Sequence, residues 1–320
     1  MLNVLLLFLG VVLLSAGGEA LIRGSLAAAK RLGVSPLLSG LVIVGFGTSA
    51  PELVVSIDAA VNGRPDIAIG NVVGSNIGNV LLILGICALI TPLAARPLAL
   101  RRDSVTVVLA SVLFLVLVGG SALNRADAAI FLLALLAYLS WAYLTERSGF
   151  APPAELHKAE AEELSRVPKS VLWTVAAVIS GLVLLIGGSH ILLTGAVGIA
   201  EHFGIPEAVI GLTLVAVGTS LPELSISVIA AIRRHADVAV GNILGSNIFN
   251  LLGILGISAL LQPLPVHARI LQFDQWVMLG AALLLMLFLY TGRRLSRMEG
   301  GLLLIGYGVY VGLSFTVFGG

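Results

Sequence analysis

The sequence predicts an all-α integral membrane protein with ten transmembrane helices, arranged as two inverted five-helix repeats with broken helices at a central ion site. Three observations predict this fold class: the hydropathy, an internal repeat, and two proline-containing motifs that each carry a glutamate. Of the 320 residues, 58% are hydrophobic and 11% are charged, and the mean hydropathy is +1.08. Soluble domains carry roughly 25% charged residues, so this composition is typical of a chain built for lipid.

The apolar segments divide the chain into two halves. A transmembrane helix needs about 20 mainly apolar residues. The sequence predicts ten such helices, at residues 2–29, 37–61, 67–90, 104–119, 126–144, 170–199, 207–232, 238–260, 274–290 and 300–317. One polar linker separates the fifth from the sixth. We therefore predict a first repeat at 1–144, a cytoplasmic linker at 145–169 and a second repeat at 170–320.

The basic residues between these segments alternate strongly. With the N-terminus placed outside, the inner connections carry 14 Lys and Arg residues and the outer ones carry 3: Arg64, Arg125 and Arg269. Basic loops are retained in the cytoplasm. Both termini are therefore predicted on the non-cytoplasmic side of the cell's inner (plasma) membrane.

An internal repeat relates residue n to residue n+171. Residues 40–93 aligned with 211–264 give 30 identities in 54 positions without a gap. Because each half has five helices, an odd number, the second copy enters the membrane from the opposite side, as in many secondary transporters. A duplication kept only for packing is the alternative, but packing does not require the carboxylates that both copies carry.

The motifs GTSAPE (47–52) and GTSLPE (218–223) each place a proline and a glutamate inside an apolar segment. A proline removes a backbone N–H and displaces the carbonyl four residues earlier, and membranes tolerate such a break only where the freed groups face protein, water or ions. A simple kink and a polar contact between helices are the alternatives. Ionisable groups inside a membrane are costly and usually functional. Glu52 and Glu223, repeated in register, thus predict the two halves of a cation site, with the neighbouring hydroxyls and carbonyls as further oxygen ligands.

A second pair of blocks, GNVVGSNIGN (70–79) and GNILGSNIFN (241–250), supplies the other wall of the predicted site. Small residues allow close helix packing. Ser75 and Asn79 are four residues apart and share a helix face, as do Ser246 and Asn250. The neighbouring asparagines are expected to hydrogen-bond between helices: Asn76 and Asn247.

Glu19 and Asp58 also lie in apolar segments. We call two residues that the 171-residue repeat aligns register mates. The register mates of Glu19 and Asp58 are His190 and Ile229, so the repeat does not pair either acid with another acid. They are therefore weaker candidates for the site.

At these blocks the sequence resembles the sodium/calcium exchanger family, within the wider cation/calcium antiporters, and the blocks look like that family's two alpha-repeats. The resemblance covers essentially the whole chain. It implies electrogenic, Na⁺-driven Ca²⁺ exchange by alternating access, with four cation positions around the two glutamates. The linker is too short for the regulatory Ca²⁺-binding domains of animal exchangers.

The resemblance also implies residue roles. Glu52 and Glu223 match the shared carboxylates, and Thr48 and Thr219 match residues that offer backbone carbonyls to Ca²⁺. Ser49, Ser75 and the Gly45 carbonyl match a Na⁺ site on one side. Its mirror image comprises Ser220, Ser246 and the Ala216 carbonyl. Asn79 and Asn250 stand where many members have aspartate at one or both positions.

Three alternatives stay open from the sequence: H⁺ in place of Na⁺, another divalent ion in place of Ca²⁺, and a cation channel in place of an antiporter. No hydrolase motif accompanies the glutamates, so an enzyme is not expected. We also expect no cofactor beyond the transported ions. The expected partners are those ions and the lipid bilayer, with neither a nucleic acid nor an obligate protein partner.

Overall fold

The structure is a computed structural model that describes residues 2–32, 45–94, 97–147, 170–234, 236–291 and 294–316. The first half contains, in order, α1 (Leu2–Arg31), α2 (Gly45–Gly47), α3 (Ala50–Val61), α4 (Pro65–Gly78), a π-helical segment (Asn79–Ile83), α5 (Leu84–Ile90), β1 (Leu93–Ala94), α6 (Pro97–Leu117), a 3-10 turn (Val118–Gly120), β2 (Ala122–Leu123) and α7 (Arg125–Arg147).

The second half repeats this order. It contains α8 (Val171–Phe203), α9 (Glu207–Ile210), a π-helical segment (Gly211–Val215), α10 (Ala216–Thr219), α11 (Leu221–Ile232), α12 (Ala236–Ile248), a π-helical segment (Phe249–Ile254), α13 (Leu255–Leu261), β3 (Leu264–Pro265), a π-helical segment (Ile270–Asp274), α14 (Gln275–Thr291), β4 (Arg294–Leu295) and α15 (Arg297–Thr316).

The chain is a multi-pass integral membrane protein. Within the described ranges, eight helices are long and apolar enough to cross a membrane, and the bent pair 207–219 and 221–232 makes a ninth. The largest boundary shift from the sequence prediction is at 104, because helix α6 already begins at Pro97. Smaller shifts occur at 199, where the helix continues to Phe203, and at 274, where it begins at Ile270. The predicted segment 37–61 begins in residues outside the described ranges, so the count of ten stays a prediction. Most of the linker 145–169 also lies outside the described ranges.

The first helices of the two halves pack against each other in opposite directions. A Cβ atom added at Gly17 would lie 2.9 Å from the Gly181 carbonyl oxygen, and one at Gly188 would lie 3.2 Å from that of Gly10. Position numbers rise along α1 as they fall along α8, so the two helices are antiparallel. Adding or subtracting 171 converts one contact into the other. The two halves are therefore related by a pseudo-two-fold axis, as the inverted-repeat prediction requires.

The four short strands follow the same exchange. Strand β1 pairs with β4, with Leu93 opposite Leu295, and β2 pairs with β3, with Leu123 opposite Leu264. Leu93 and Leu264 are register mates, so β1 and β3 are equivalent strands of the two halves. Each of them pairs with a strand of the other half. These crossed pairs tie the halves together at the ends of the helices.

Candidate functional site

Both predicted helix breaks are present and nearly superimposable in backbone geometry. Ser49 separates α2 from α3 with φ −85° and ψ 11°, and Ser220 separates α10 from α11 with φ −82° and ψ 10°. Pro51 and Pro222 follow in the first turn of the next helix, where the missing N–H costs no helical hydrogen bond. In the second half the two helical pieces meet at 49°. The proline thus fixes where each membrane helix is interrupted.

The two glutamates lie at the centre and exchange hydrogen bonds with the opposite half. The Ser220 hydroxyl donates to Glu52 Oε1 at 2.8 Å, and the Ser49 hydroxyl donates to Glu223 Oε1 at 2.9 Å. Both glutamates are fully buried. The Oε2 atoms of both have no hydrogen-bond partner among the described residues. A buried carboxylate oxygen without a partner is costly, so this arrangement suits a cation ligand.

The serines of the second blocks cross to the opposite half as well. Ser75 Oγ donates to the Ala216 carbonyl oxygen at 3.4 Å. Ser246 Oγ lies 3.4 Å from Glu223 Oε1 and 3.3 Å from Thr48 Oγ1. Ser75 therefore belongs with the second half's broken helix, and Ser246 with the first half's.

The predicted grouping of Ser75 with Ser49, and of Ser246 with Ser220, is therefore wrong. The structure forms one end of the site from Ser75, Ser220, Glu52 and Ala216, which we call the Ser75 end. It forms the other from Ser246, Ser49, Glu223 and Thr48, which we call the Ser246 end. Gly45 begins the short helix α2, which leads to the break at the Ser246 end. The physical reason is that inverted repeats place each small-residue helix against the partner half's break.

Asn71 is a residue of the site that the sequence analysis missed. Its side-chain Nδ2 donates to Ser56 Oγ at 2.9 Å and to the Glu52 carbonyl oxygen at 3.3 Å. Its Oδ1 accepts from Thr219 Oγ1 of the other half at 3.0 Å. The buried Asn71 therefore couples the Glu52 helix to the opposite break.

Asn242 repeats this role in the second half. Its Nδ2 donates to Ser227 Oγ at 3.1 Å, and its Oδ1 accepts a hydrogen bond from Thr48 Oγ1 at 3.5 Å. The signal for both residues was in the sequence, because Asn71 and Asn242 are register mates within the repeated blocks. They brace the two threonines from which the resemblance expects carbonyl ligands.

Asn79 and Asn250 are buried at the start of two corresponding π-helical segments. Such wider helical turns are frequent at functional sites. Asn79 Nδ2 donates to Asn247 Oδ1 at 2.9 Å, and Asn247 in turn donates to the Asn76 carbonyl oxygen at 3.3 Å. Asn79 Oδ1 and both side-chain polar atoms of Asn250 have no partner among the described residues. Their amide oxygens are thus free to accept from water or to bind a cation.

The two weaker candidates lie apart from the paired glutamates. Glu19 is exposed and forms an ion pair at 2.5 Å with Arg23, one helical turn further along. It lines a cavity of about 180 Å³ that also touches Thr48. Asp58 is half-buried and accepts from Ser189 Oγ at 2.9 Å. Neither carboxylate takes part in the crossed serine–glutamate contacts.

The donor set is rich in oxygen and poor in nitrogen and sulfur. Among the residues that the structure describes, no three His, Cys, Asp or Glu side chains converge as a metal-binding group. The ligands that do converge are two carboxylates with hydroxyl, amide and carbonyl oxygens. Hard cations prefer such oxygens, whereas transition metals favour imidazole and thiolate.

Comparison with known proteins identifies the family. The model for the family described as Sodium/calcium exchanger protein matches residues 2–144 and 173–316. The chain belongs to this family. Two relatives match the exchanger chain over nearly its full length. CaxA of Alkalimonas amylolytica is 38% identical over 97% of this chain and 96% of its own, and the sodium/calcium exchanger MaX1 of Methanosarcina acetivorans is 33% identical over 98% and 99%.

A solved structure supports the same assignment. The sodium-calcium exchanger NCX_Mj, soaked with Na⁺ and Sr²⁺, aligns with a TM-score of 0.66 and 32% identity over 97% of this chain and 98% of that one. This exchanger is thus an inverted-repeat membrane transporter for cation/Ca²⁺ antiport, and its family is one of transporters and not of enzymes.

Proposed function

We propose that this protein exchanges Na⁺ for Ca²⁺ across the membrane by alternating access, with Glu52 and Glu223 shared between the transported ions. The observation that carries the proposal is the crossed pair of contacts Ser220–Glu52 and Ser49–Glu223. These contacts bring two buried carboxylates from opposite halves into one cluster, and each keeps an oxygen without a partner among the described residues.

The charge of the site supports exchange. Two ionised glutamates carry a charge of −2, which one Ca²⁺ or two Na⁺ ions neutralise. Since an unneutralised pair of carboxylates is costly in a low-dielectric interior, the site favours being loaded with one cargo or the other. Competition between the two kinds of ion then couples their movements in opposite directions.

The other proposed ligands surround these carboxylates at the two ends of the site. They are the side chains of Ser49, Ser75, Ser220, Ser246, Asn79 and Asn250 and backbone oxygens of Gly45, Thr48, Ala216 and Thr219. We propose no cofactor, no nucleic-acid partner and no obligate protein partner. The charge bias of 14 to 3 supports an orientation with both termini on the non-cytoplasmic side, and we propose the plasma (inner) membrane as the location.

Two other functions share much of this geometry. A buried glutamate can carry H⁺ as well as Na⁺, so an H⁺/Ca²⁺ antiporter uses the same carboxylates. A cation channel also places broken helices around ions, but it moves Ca²⁺ without a counter-ion.

Ca²⁺ uptake by proteoliposomes separates the three functions. We expect uptake when Na⁺ is loaded inside and omitted outside, and none with Na⁺ equal on both sides. Uptake driven equally well by a H⁺ gradient in Na⁺-free buffer would assign H⁺ as the coupling ion. Uptake along a Ca²⁺ gradient, unaffected by either counter-ion, would assign a channel and overturn the proposal. Vesicles containing Glu52→Gln protein provide the matched background.

A further inference from the structure

The two ends of the site differ in shape, although their ligands are repeated. Phe46 in the first half corresponds to Val217 in the second, and Gly78 corresponds to Phe249. The blocks GNVVGSNIGN and GNILGSNIFN otherwise differ only by exchanges among Val, Ile and Leu. Both phenylalanines therefore belong to one end of the site, and both smaller residues belong to the other.

At the Ser246 end the two phenylalanine rings stack. Their centroids are 4.5 Å apart and their planes differ by 15°. Phe249 lies between Ser246 and Asn250 in sequence, and Phe46 lies two residues before Thr48. Gly253 makes room for the stack, because a Cβ atom there would be 2.6 Å from the Phe249 ring. The stacked pair is therefore close along the chain to Ser246, Asn250 and Thr48 and adds aromatic surface at this end of the site.

At the Ser75 end the corresponding residues leave a cavity. Val217 and Gly78 line a space of about 20 Å³ that reaches Ser75 and Ser220. A water molecule needs roughly 10–15 Å³ measured in this way, so the cavity can hold one. The two serines are buried. The lining residues away from them are partly exposed and lead toward the protein surface: Leu82, Leu221 and Leu224.

We propose that the Phe46–Phe249 stack is a hydrophobic plug that closes the direct approach to the Ser246 end in this conformation, so that cations enter at the Ser75 end past Val217 and Gly78, and that the two rings must part when access alternates. An apolar constriction stops an ion because it offers nothing to replace the ion's hydration shell. The opening at Val217 and Gly78 is narrow, but oxygen ligands lie directly behind it. Identical ligands at the two ends are thereby given different rates of access.

The identity of the cations in this inference rests on the proposed function, but the plug itself can be tested without measuring transport. Leu224 and its register mate Leu53 provide a matched pair of positions. Leu224 lines the cavity, and Leu53 lies on α3, which packs against the π-helical segment containing Phe249. Each is replaced by cysteine in a Cys87→Ala background. The probe is Ag⁺, a small thiol-reactive cation, and protected thiols are counted by later maleimide labelling.

With the plug intact, we expect Leu224→Cys to react with Ag⁺ at least about tenfold faster than Leu53→Cys, the ratio given by a barrier difference of about 1.4 kcal/mol. Equal rates, or failure of both thiols to react, would overturn the plug. This comparison needs no substitution of an aromatic residue, so a misfolded plug variant cannot obscure it.

Exchanging the plug between the ends gives the second test. Phe249→Gly should raise the Ag⁺ rate at Leu53→Cys toward that at Leu224→Cys. Gly78→Phe should slow the reaction of Leu224→Cys, and the first atom of its side chain is not obstructed, because a Cβ atom at Gly78 would lie 3.9 Å from the Tyr307 ring. Val217→Phe is the alternative if Gly78→Phe protein does not insert. If the rates stay unchanged in Phe249→Gly protein, the stack is packing only.

A third test asks whether the plug limits the rate at which Ca²⁺ leaves the site. The rate of Ca²⁺ release from the detergent-solubilised protein to a fluorescent chelator is measured by stopped flow. Phe249→Gly should accelerate release, while equilibrium Ca²⁺ binding changes little, because the ligands are untouched. A large loss of affinity with unchanged release would contradict the plug. Failure of Na⁺-driven flux in the wild type, with the Ag⁺ difference present, would reject the proposed coupling but retain the plug.

Discussion

The Ser49 hydroxyl donates a hydrogen bond of 2.9 Å to Glu223 Oε1, across the boundary between the two halves. Hydrogen bonds to charged groups contribute about 1.5–3 kcal/mol, so removing this donor should misorient the carboxylate. We expect Ser49→Ala to raise the Ca²⁺ concentration for half-maximal flux roughly tenfold, as about 1.4 kcal/mol implies.

The matched control for this substitution is Ser225→Ala. Ser225 is exposed, and its hydroxyl donates to the Leu221 carbonyl of its own helix. Both proteins are assayed for flux against Ca²⁺ concentration at equal insertion. Identical half-saturation in wild-type and Ser49→Ala protein would remove Ser49 from the site.

Glu52→Gln and Glu223→Gln should each abolish Ca²⁺ flux while the protein still inserts. Either change removes one of the two charges that balance a divalent ion, and the buried position weakens dielectric screening of that loss. Glu19→Gln is the control, because Glu19 is exposed and its ion pair with Arg23 is of a kind that contributes little to stability. Ca²⁺-dependent protection against thermal unfolding reports binding separately from flux. A single glutamine variant that transports like the wild type would exclude a shared pair.

How much of this site the sequence predicts depends on the range of the interaction. The breaks at Pro51 and Pro222 are local consequences of proline chemistry, and the structure confirms both. The partner of Ser75 is not local. It depends on which helix the small-residue face of α4 meets, and the structure places the Ala216 carbonyl there.

Asn71 and Asn242 illustrate a signal that was present but overlooked. Asparagines beside glycines in a helix are typical packing residues, and only the fold brings Asn71 to Thr219 of the opposite half. The Phe46–Phe249 stack is a further case. Its members come from different halves and are not register mates, so repeat alignment alone does not predict their contact.

Gly17→Ala should destabilise the protein through the α1–α8 contact. The new methyl group would lie 2.8 Å from the Leu185 nitrogen and 2.9 Å from the Gly181 oxygen, and backbone atoms cannot move aside as a side chain can. Overpacking of this kind costs about 1–3 kcal/mol. The measurement is the thermal unfolding midpoint in detergent.

Gly187→Ala serves as the control on the partner helix α8. A Cβ atom at Gly187 meets nothing within 4 Å, so only the helix propensity changes, in favour of alanine by about 1 kcal/mol. We therefore expect the midpoint to fall for Gly17→Ala and to stay level or rise for Gly187→Ala. Equal midpoints would mean that α1 and α8 are not in close backbone contact.

Asn250→Leu should have opposite effects on stability and ion binding. Both polar atoms of the Asn250 side chain are buried without a partner among the described residues, and a buried, unsatisfied amide costs about 1–3 kcal/mol. Leucine of similar volume removes that cost, so the ion-free protein should unfold at a higher temperature. The same change deletes an oxygen that can bind a cation, so the stabilisation gained on adding Ca²⁺ should shrink.

Asn71→Leu gives the contrast that makes this last prediction specific. Asn71 hydrogen-bonds Ser56, Thr219 and the Glu52 carbonyl, so leucine there removes three buried hydrogen bonds. Its ion-free protein should therefore unfold at a lower temperature than the wild type. Thermal unfolding of the three proteins with and without Ca²⁺ decides the matter. A lower midpoint for Asn250→Leu without Ca²⁺ would show that the Asn250 amide is satisfied within the protein, and position 250 would then hold the fold together instead of binding the cation.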